Sequence, residues 1–533
     1  LTATRTALFG GVTHCEIAVT AAREVAGTVT QTPVLRAVCE IAPPRTAYVL
    51  PGQGIQQQGM GMDGYARSAA ARSVWDRADV FTRAELGFSL LEVVRDNPKQ
   101  LLVAGKLDHH PKGVLHLTQF TQVAMSVLAT AQVAELRESG AFAEDAITCG
   151  HSVGEYNALS AIAEVLPLES VVEIVWMRGL TMHTCVPRDA NGVSGYAMGV
   201  IRPHHGGLDE AGALALVERV REETGGFIEI VNFNVRGKQY STVGDTATLK
   251  VLGKRLEALG GPGRKPAWLA VPGIDVPFHS TRLRDGVAAF RATLKARLPA
   301  RVGYTDLVGR YIPNLVARVF TLDKDFVRAM LDATGAPEVS EILASFDELA
   351  KDPEALARAL VIELLAFQFA SPVRWIETQE LLFGAEVDGG MAVEQVIEIG
   401  VGYQPTVANM AKQTLAMLRN DAVSVRNLGA DTAIVLGRDE QPASPRRGRR
   451  AATRQARRCV SCCSRGRPRH SGRSRCCGAC FCRRRCGADT DTYNCDRHRE
   501  ADRRAVHPPR CPAHPARAAG ARAAGANPRW RDH

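Results

Sequence analysis

The stretch Gly150-His151-Ser152-Val153-Gly154 has the pattern Gly-X-Ser-X-Gly, typical of a sharp turn between a strand and a helix. The apolar residues 146–149 before it predict a short buried strand, and residues 155–161 after it predict a helix. Glycines on both sides allow a tight turn that projects the serine hydroxyl above the sheet. The helix N-terminus that follows presents free N–H groups to developing negative charge. The sequence therefore predicts an α/β fold, with Ser152 as a candidate nucleophile.

Further segments follow a recognisable order along the chain. Pro51-Gly52-Gln53-Gly54 comes after the apolar residues 47–50, Arg178 lies in Trp-Met-Arg-Gly, and His279 lies in Val-Pro-Phe-His-Ser. Together with the serine motif, these segments resemble the acyltransferase family that includes malonyl-CoA:acyl carrier protein transacylases. The stretches 228–235, 278–281 and 310–315 look like the malonyl/palmitoyl transferase domain of the type I fatty acid synthases of fungi and mycobacteria. The resemblance covers roughly residues 45–435.

The resemblance implies a function and a set of site residues. Malonyl would pass from malonyl-CoA to the phosphopantetheine of an acyl carrier protein through an acyl-serine, and palmitoyl or longer chains could return to CoA. Ser152 and His279 would form the catalytic dyad, with backbone or amide groups orienting the imidazole. The backbone N–H groups of Gln53 and Val153 would form the oxyanion hole. The expected substrate-binding residues are Arg178, Gln122, His151 and Asn232.

Arg178 indicates the substrate class. A malonyl group ends in a carboxylate, which a guanidinium can hold through two parallel hydrogen bonds. A hydrolase or an acetyl-only transferase has no use for such a group. The alternative is a structural arginine at a helix end, paired with Glu173.

Two other site residues also have plainer interpretations. Gln122 lies in a long predicted helix over 117–136, in a segment that resembles a pocket-lining part of the family, but it could simply be a polar residue on a partly buried helix. His151 precedes the nucleophile and is expected to support the turn. The sequence offers no Asp or Glu as a third catalytic member.

Residues 194–272 predict the element order β-α-β-β-α-β, which is the ferredoxin-like signature. We therefore expect an α/β-hydrolase-like large domain with a parallel sheet, over 45–193 and 273–438, interrupted by a ferredoxin-like small domain over 194–272. A ligand-binding cleft is expected between the two. Residues 1–44 carry modest helical periodicity and predict a linker helix region from a preceding domain.

Composition changes abruptly near residue 440. The chain has a formal charge of +10, but residues 441–533 hold 24 Arg, no Lys and six acidic residues, so this tail is +18 and the remainder −8. Ten of the 14 cysteines also lie there. The tail could be a zinc module using Cys459, Cys462, Cys477, Cys480 and His507, a basic nucleic-acid arm, or out-of-frame sequence. The spacings fit no standard zinc pattern, so we expect residues 439–533 to be a disordered, frameshifted tail of a synthase fragment, with no specific nucleic-acid partner.

The residues before this tail indicate where the protein works and what its partners are. They keep four cysteines and show no apolar run of signal or membrane-spanning length, which favours a reduced cytoplasmic protein without a membrane partner. The expected partners are an acyl carrier protein or domain and other fatty acid synthase domains. Acyl-CoA and phosphopantetheine thioesters are expected as substrates, with no bound cofactor or metal. Two competing functions remain: a serine hydrolase or thioesterase, and an inactive synthase fragment.

Overall fold

The computed structural model describes residues 2–438, except 26–27, 191, 261–262, 264, 401 and 403. The predictions for residues 439–533 lie outside the described residues and stay predictions. Within the described part of the chain, no helix has both the length and the apolar character needed to cross a bilayer.

The N-terminal segment is a three-stranded antiparallel sheet, not a helical linker. Its strands, in spatial order, are β1 (Thr2–Phe9), β2 (Val12–Val25) and β3 (Thr28–Ile41). The helix prediction for residues 1–44 is wrong because the segment is rich in Thr and Val. These β-branched side chains lose rotamer freedom in a helix and pack well in strands.

A five-stranded parallel sheet forms the centre of the fold. Its spatial order is β12-β7-β4-β13-β14, with bounds β4 (Thr46–Leu50), β7 (Ile147–Gly150), β12 (Tyr311–Ile312), β13 (Gln395–Glu398) and β14 (Ser424–Asn427). Every residue of β4 and β7 is buried, as their apolar composition predicts. Because the strands are parallel, their carboxyl ends meet at one edge of the sheet, where ligands bind in open α/β folds.

Helices pack around this sheet and bury the main hydrophobic cores. They are α1 (Met62–Arg67), α2 (Ala69–Phe81), α3 (Leu90–Asp96), α4 (Thr118–Glu138), α5 (Val153–Ala161), α6 (Leu168–Thr184), α9 (Val287–Arg297), α10 (Lys324–Thr334), α11 (Pro337–Ala344), α12 (Phe346–Leu349), α13 (Pro353–Gln368), α14 (Trp375–Phe383), α15 (Val407–Leu418) and α16 (Thr432–Val435). A short hairpin, β5 (Gln100–Val103) and β6 (Lys106–His109), precedes α4. The predicted helix over 117–136 matches α4.

A second, four-stranded antiparallel sheet follows α6. It consists of β8 (Tyr196–Ile201), β9 (Ile228–Val235), β10 (Gln239–Asp245) and β11 (Trp268–Val271), in the order β11-β8-β10-β9. Two helices, α7 (Glu210–Thr224) and α8 (Thr246–Ala258), cover it and close a separate core. Along the chain the elements alternate as the sequence predicts. Strand β9 also exchanges backbone hydrogen bonds with Val373, which ties this sheet to the segment that follows α13.

Candidate active site

Ser152 lies at the sharp turn between β7 and α5, at the carboxyl edge of the parallel sheet. Its φ of 55° and ψ of −119° put a non-glycine residue in a region that side chains rarely occupy. The flanking glycines are required by close packing: a Cβ on Gly154 would collide with the carbonyl oxygen of Leu50, and one on Gly150 with the backbone of Gly154. The predicted strand–turn–helix is therefore present, with strain concentrated at Ser152.

Asn314 holds this turn in place. Its Oδ1 accepts a hydrogen bond from the backbone N–H of Ser152 at 2.9 Å, and its Nδ2 donates to the carbonyl of Gly150. Asn314 is buried, so both bonds form away from water. The sequence pattern included this residue in the stretch 310–315 but gave it no role, because only the tertiary structure brings that loop to the turn.

His279 comes after the second sheet in the chain, and its imidazole contacts Ser152. Its Nε2 lies 2.7 Å from the Oγ of Ser152. Its Nδ1 faces two backbone carbonyls, Gln368 at 3.0 Å and Ser371 at 3.2 Å, so Nδ1 carries the proton and Nε2 is free to accept. Burial, aided by the nearby charge of Arg178, lowers the pKa of His279 to about 3, so the imidazole is neutral near pH 7.

Arg178 lies in α6 with its guanidinium beside the serine. It is 1% exposed, and its Nη2 donates to Oγ of Ser152 at 3.3 Å and to Oε1 of Gln368 at 2.8 Å. The guanidinium carbon lies 5.1 Å from the ring centroid of Tyr156. Its Nε is buried and has no hydrogen-bond partner among the described residues. The alternative pairing with Glu173 is wrong, because that carboxylate binds Arg297 at 2.6 Å.

Gln368, at the end of α13, is a site residue that the sequence analysis missed. Its Nε2 donates to the carbonyl of Ser152 at 2.6 Å and to Oε2 of Glu155 at 2.7 Å, while its Oε1 accepts from Arg178. Glu155, in the first turn of α5, is fully buried. A signal existed for Gln368, since it is a polar residue between two phenylalanines at the end of an apolar-rich helix.

A cavity of about 110 Å³ opens onto these groups. Residues from both the second sheet and the rest of the fold line it. They include Ser152, His279, Arg178, Gln53, Gln122 and His151, and from the second sheet Met198, Asn232 and Val271. The predicted residues therefore come together, with Val153 next to them as the first residue of α5. The Oε1 of Gln122 and the Oδ1 of Asn232 are buried without a hydrogen-bond partner in the described part of the chain.

His151 supports the turn from below. Its Nε2 donates to Oδ1 of Asn234 at 3.0 Å, and its ring contacts Trp375 edge-on at 5.6 Å between centroids. Burial lowers its pKa to about 4, so it too is neutral. Among the described residues, no three His, Cys, Asp or Glu side chains are placed to hold a metal ion together.

Part of the chain matches a known family model. Residues 47–258 match the model of the acyl transferase domain. Fatty acid synthase 2 of Mycosarcoma maydis is 36% identical over 461 residues, which cover 72% of this chain and 12% of that protein. The fatty acid synthase subunit beta of Saccharomyces cerevisiae is 34% identical over 398 residues, which cover 59% of this chain and 19% of the subunit. The chain thus spans less than a fifth of the length of either relative.

The fold has solved counterparts. A malonyl-transacylase, solved in complex with a type II PKS acyl-carrier protein, superposes with a TM-score of 0.53 at 23% identity. The match covers 74% of this chain and 98% of the transacylase. The mixed α/β architecture with its parallel sheet is therefore that of the malonyltransferases.

Proposed function

We propose that this domain transfers malonyl groups from malonyl-CoA to the phosphopantetheine thiol of an acyl carrier protein, through an ester on Ser152. The observation that carries the proposal is the 2.7 Å separation between Nε2 of His279 and Oγ of Ser152, with Nδ1 fixed by two backbone carbonyls. Such a pair activates a hydroxyl without a third acidic residue.

The reaction balances in two exchanges. His279 takes the proton of Ser152 as Oγ bonds to the thioester carbon; the carbon–sulfur bond then breaks, and the departing CoA thiolate receives that proton. The carrier thiol next gives its proton to His279 as its sulfur bonds to the acyl carbon. The bond to Oγ breaks, and Ser152 regains the proton.

The carbonyl oxygen of the acyl group becomes negatively charged in each exchange and needs hydrogen-bond donors. We assign this role to the backbone N–H groups of Gln53 and Val153. Gln53 lines the cavity from the loop after β4, and Val153 begins α5, whose N-terminus favours negative charge. Removing one such donor typically costs about 3 kcal/mol of transition-state stabilisation.

Arg178 supplies the selectivity for malonyl. A buried guanidinium with an unpaired Nε, next to the nucleophile, suits a substrate carboxylate. Gln122 and Asn232 line the same cavity and would contact the acyl thioester, while His151 supports the turn. Return of palmitoyl or longer chains to CoA would require Arg178 to move away from Ser152.

Hydrolysis is the competing reaction. The hydrolase interpretation expects an acidic residue at His279, whereas Nδ1 faces the carbonyls of Gln368 and Ser371. A buried guanidinium also serves no purpose for a neutral acyl group. The third interpretation, an inactive fragment, does not fit a site in which the dyad is within hydrogen-bonding distance.

The finer assignments belong to the same proposal. The order β11-β8-β10-β9 with two covering helices supports a ferredoxin-like small domain over 194–272, inserted in an α/β-hydrolase-like domain over 45–193 and 273–438. The partners would be an acyl carrier protein and other fatty acid synthase domains, and the location the cytoplasm. The substrates would be acyl-CoA and phosphopantetheine thioesters, with no cofactor held by the domain.

Mass measurement of the intact protein tests the proposal. Incubation with malonyl-CoA should add one malonyl group to the wild-type protein, and Ser152→Ala should acquire none because it lacks the attacking oxygen. Addition of a carrier protein's phosphopantetheine thiol should then remove the group. A Ser152→Ala variant that is acylated at the wild-type rate would disprove the role of Ser152. Release of free malonate faster than transfer to the thiol would favour the hydrolase.

A further inference from the structure

We propose that Glu155 is a positioning residue for this reaction: it sets the orientation of the Gln368 amide, and through that amide it holds Arg178 in place for the malonyl carboxylate. The inference rests on the proposed function of Ser152 and Arg178. It adds a specificity-determining residue that never touches the substrate.

The two oxygens of Glu155 have separate partners. Oε1 accepts from the hydroxyl of Tyr311 and from the backbone N–H of Asn314, the latter at 3.2 Å. Oε2 accepts from Nε2 of Gln368 at 2.7 Å. The carboxyl group is fully buried, so water does not replace any of these bonds.

A side-chain amide has one donor end and one acceptor end. The Gln368 amide has two acceptors on one side, Oε2 of Glu155 and the carbonyl oxygen of Ser152, so its NH₂ group must face them. The oxygen is therefore left to face Arg178, where it accepts from Nη2 at 2.8 Å. If the amide flipped, its oxygen would face two other acceptors, and its NH₂ group would face the donor Nη2 of Arg178.

This arrangement explains how Arg178 stays beside the serine. Besides its longer contact with Oγ of Ser152, Nη2 of Arg178 donates to Oε1 of Gln368. The Nε of Arg178 has no hydrogen-bond partner among the described residues. A negatively charged Glu155, together with the carbonyl oxygen of Ser152, thus directs the oxygen of Gln368 toward Arg178.

Replacing the Glu155 carboxylate by an amide would put a donor where Gln368 now finds an acceptor. In Glu155→Gln the oxygen would remain with Tyr311 and Asn314, which both donate, so the new NH₂ would face Nε2 of Gln368. Two donors would then oppose each other, and Gln368 would have to flip or move. Its NH₂ would face Arg178 and displace the guanidinium.

Protonation of Glu155 would act in the same way, since the proton would sit on Oε2. Burial raises the pKa of Glu155 to about 7, although bonds from Tyr311, Gln368 and Asn314 and the charge of Arg178 oppose that shift. The other ionisable groups near it, Tyr156 and Cys149, have raised pKa values and stay neutral over this range. Selectivity should therefore fall as the pH drops through about 7.

The test measures a ratio of rates. Initial rates of Ser152 acylation by malonyl-CoA and by acetyl-CoA are followed by intact mass for wild type, Glu155→Gln, Gln368→Ala and the double variant. Both acyl groups use the same dyad, so the malonyl-to-acetyl ratio isolates the contribution of Arg178. Glu155→Gln should lower the ratio roughly tenfold to a hundredfold, the effect of one hydrogen bond to a charged group. The double variant should match Gln368→Ala alone, because both changes break one connection.

Distinct outcomes overturn distinct claims. A wild-type ratio retained in Glu155→Gln, or effects that multiply in the double variant, would overturn this inference while the proposed function stands. Wild-type protein that forms no malonyl adduct would overturn both. If Glu155→Gln does not fold, the pH dependence of the wild-type ratio decides: a fall below pH 7 supports the inference, and a flat profile from pH 5.5 to 8.5 overturns it. Tyr311→Phe, which removes a donor from the carboxylate, should move that fall to higher pH.

Discussion

The Nε2 atom of His279 lies 2.7 Å from the Oγ atom of Ser152, although 127 positions separate the two residues in the chain. Both residues have positive φ angles, 55° for Ser152 and 62° for His279. Such backbone conformations cost roughly 1–3 kcal/mol each and persist only where the surroundings enforce them. The backbone conformations of both members of the proposed dyad therefore reduce the stability of the fold, which is typical of a functional site.

Arg178→Ala should reduce acylation by malonyl-CoA by orders of magnitude, because the substrate carboxylate would enter a buried site without its partner. Acylation by acetyl-CoA should fall far less. Adduct formation by intact mass measures both. Arg297→Ala is the matched control, since it removes a half-exposed arginine that pairs with Glu173, and neither residue lines the cavity. An equal loss for both acyl groups would show that Arg178 is structural.

Acylation by acetyl-CoA should show no histidine inflection between pH 5 and 8. The pKa of His279 is lowered to about 3 by burial, so the imidazole is already neutral throughout this range and able to accept the serine proton. A pH–rate profile for kcat/KM under single-turnover conditions measures this. An inflection near pH 6.5, the ordinary pKa of histidine, that persists in Glu155→Gln would mean that His279 is solvated in the working enzyme.

Gly154→Ala should destabilise the protein by about 1–3 kcal/mol or prevent folding, because its Cβ would overlap the carbonyl of Leu50 in packed backbone. Thermal unfolding measures the effect. Gly303→Ala is the control: its added Cβ meets no atom within 4 Å, so its midpoint should match wild type. Equal midpoints for both variants would contradict the tight approach of α5 to β4.

His151→Gln should flatten the dependence of stability on pH between 6.5 and 4. Burial lowers the folded-state pKa of His151 to about 4, so in this window only the unfolded chain binds the proton, and wild-type stability falls as the pH falls. The lost stability is on the order of 3 kcal/mol. Glutamine can still donate to Asn234 but does not titrate. Urea unfolding of both proteins at several pH values would show parallel curves if His151 were solvated.

The serine turn was predictable because its determinants are local. A short apolar run, two glycines and a following helix specify the strand–turn–helix around Ser152, and backbone geometry requires no distant partner for that. The same holds for the β-α-β-β-α-β order of residues 194–272, where strand and helix periodicities alternate clearly. The N-terminal segment forms strands and not the predicted helix because the β preference of its Thr and Val residues outweighs its weak helical periodicity.

The family resemblance identified His279 and Arg178, but the tertiary structure alone decided how they are held. The carbonyls of Gln368 and Ser371 fix the tautomer of His279, and the Gln368 amide links Glu155 to Arg178. These contacts join α5, α6 and α13, whose relative positions depend on how the whole core packs. Nothing in the spacing of a sequence states which end of an amide faces which neighbour. That orientation follows from the donors and acceptors that folding brings around the amide, here Glu155, the carbonyl of Ser152 and Arg178.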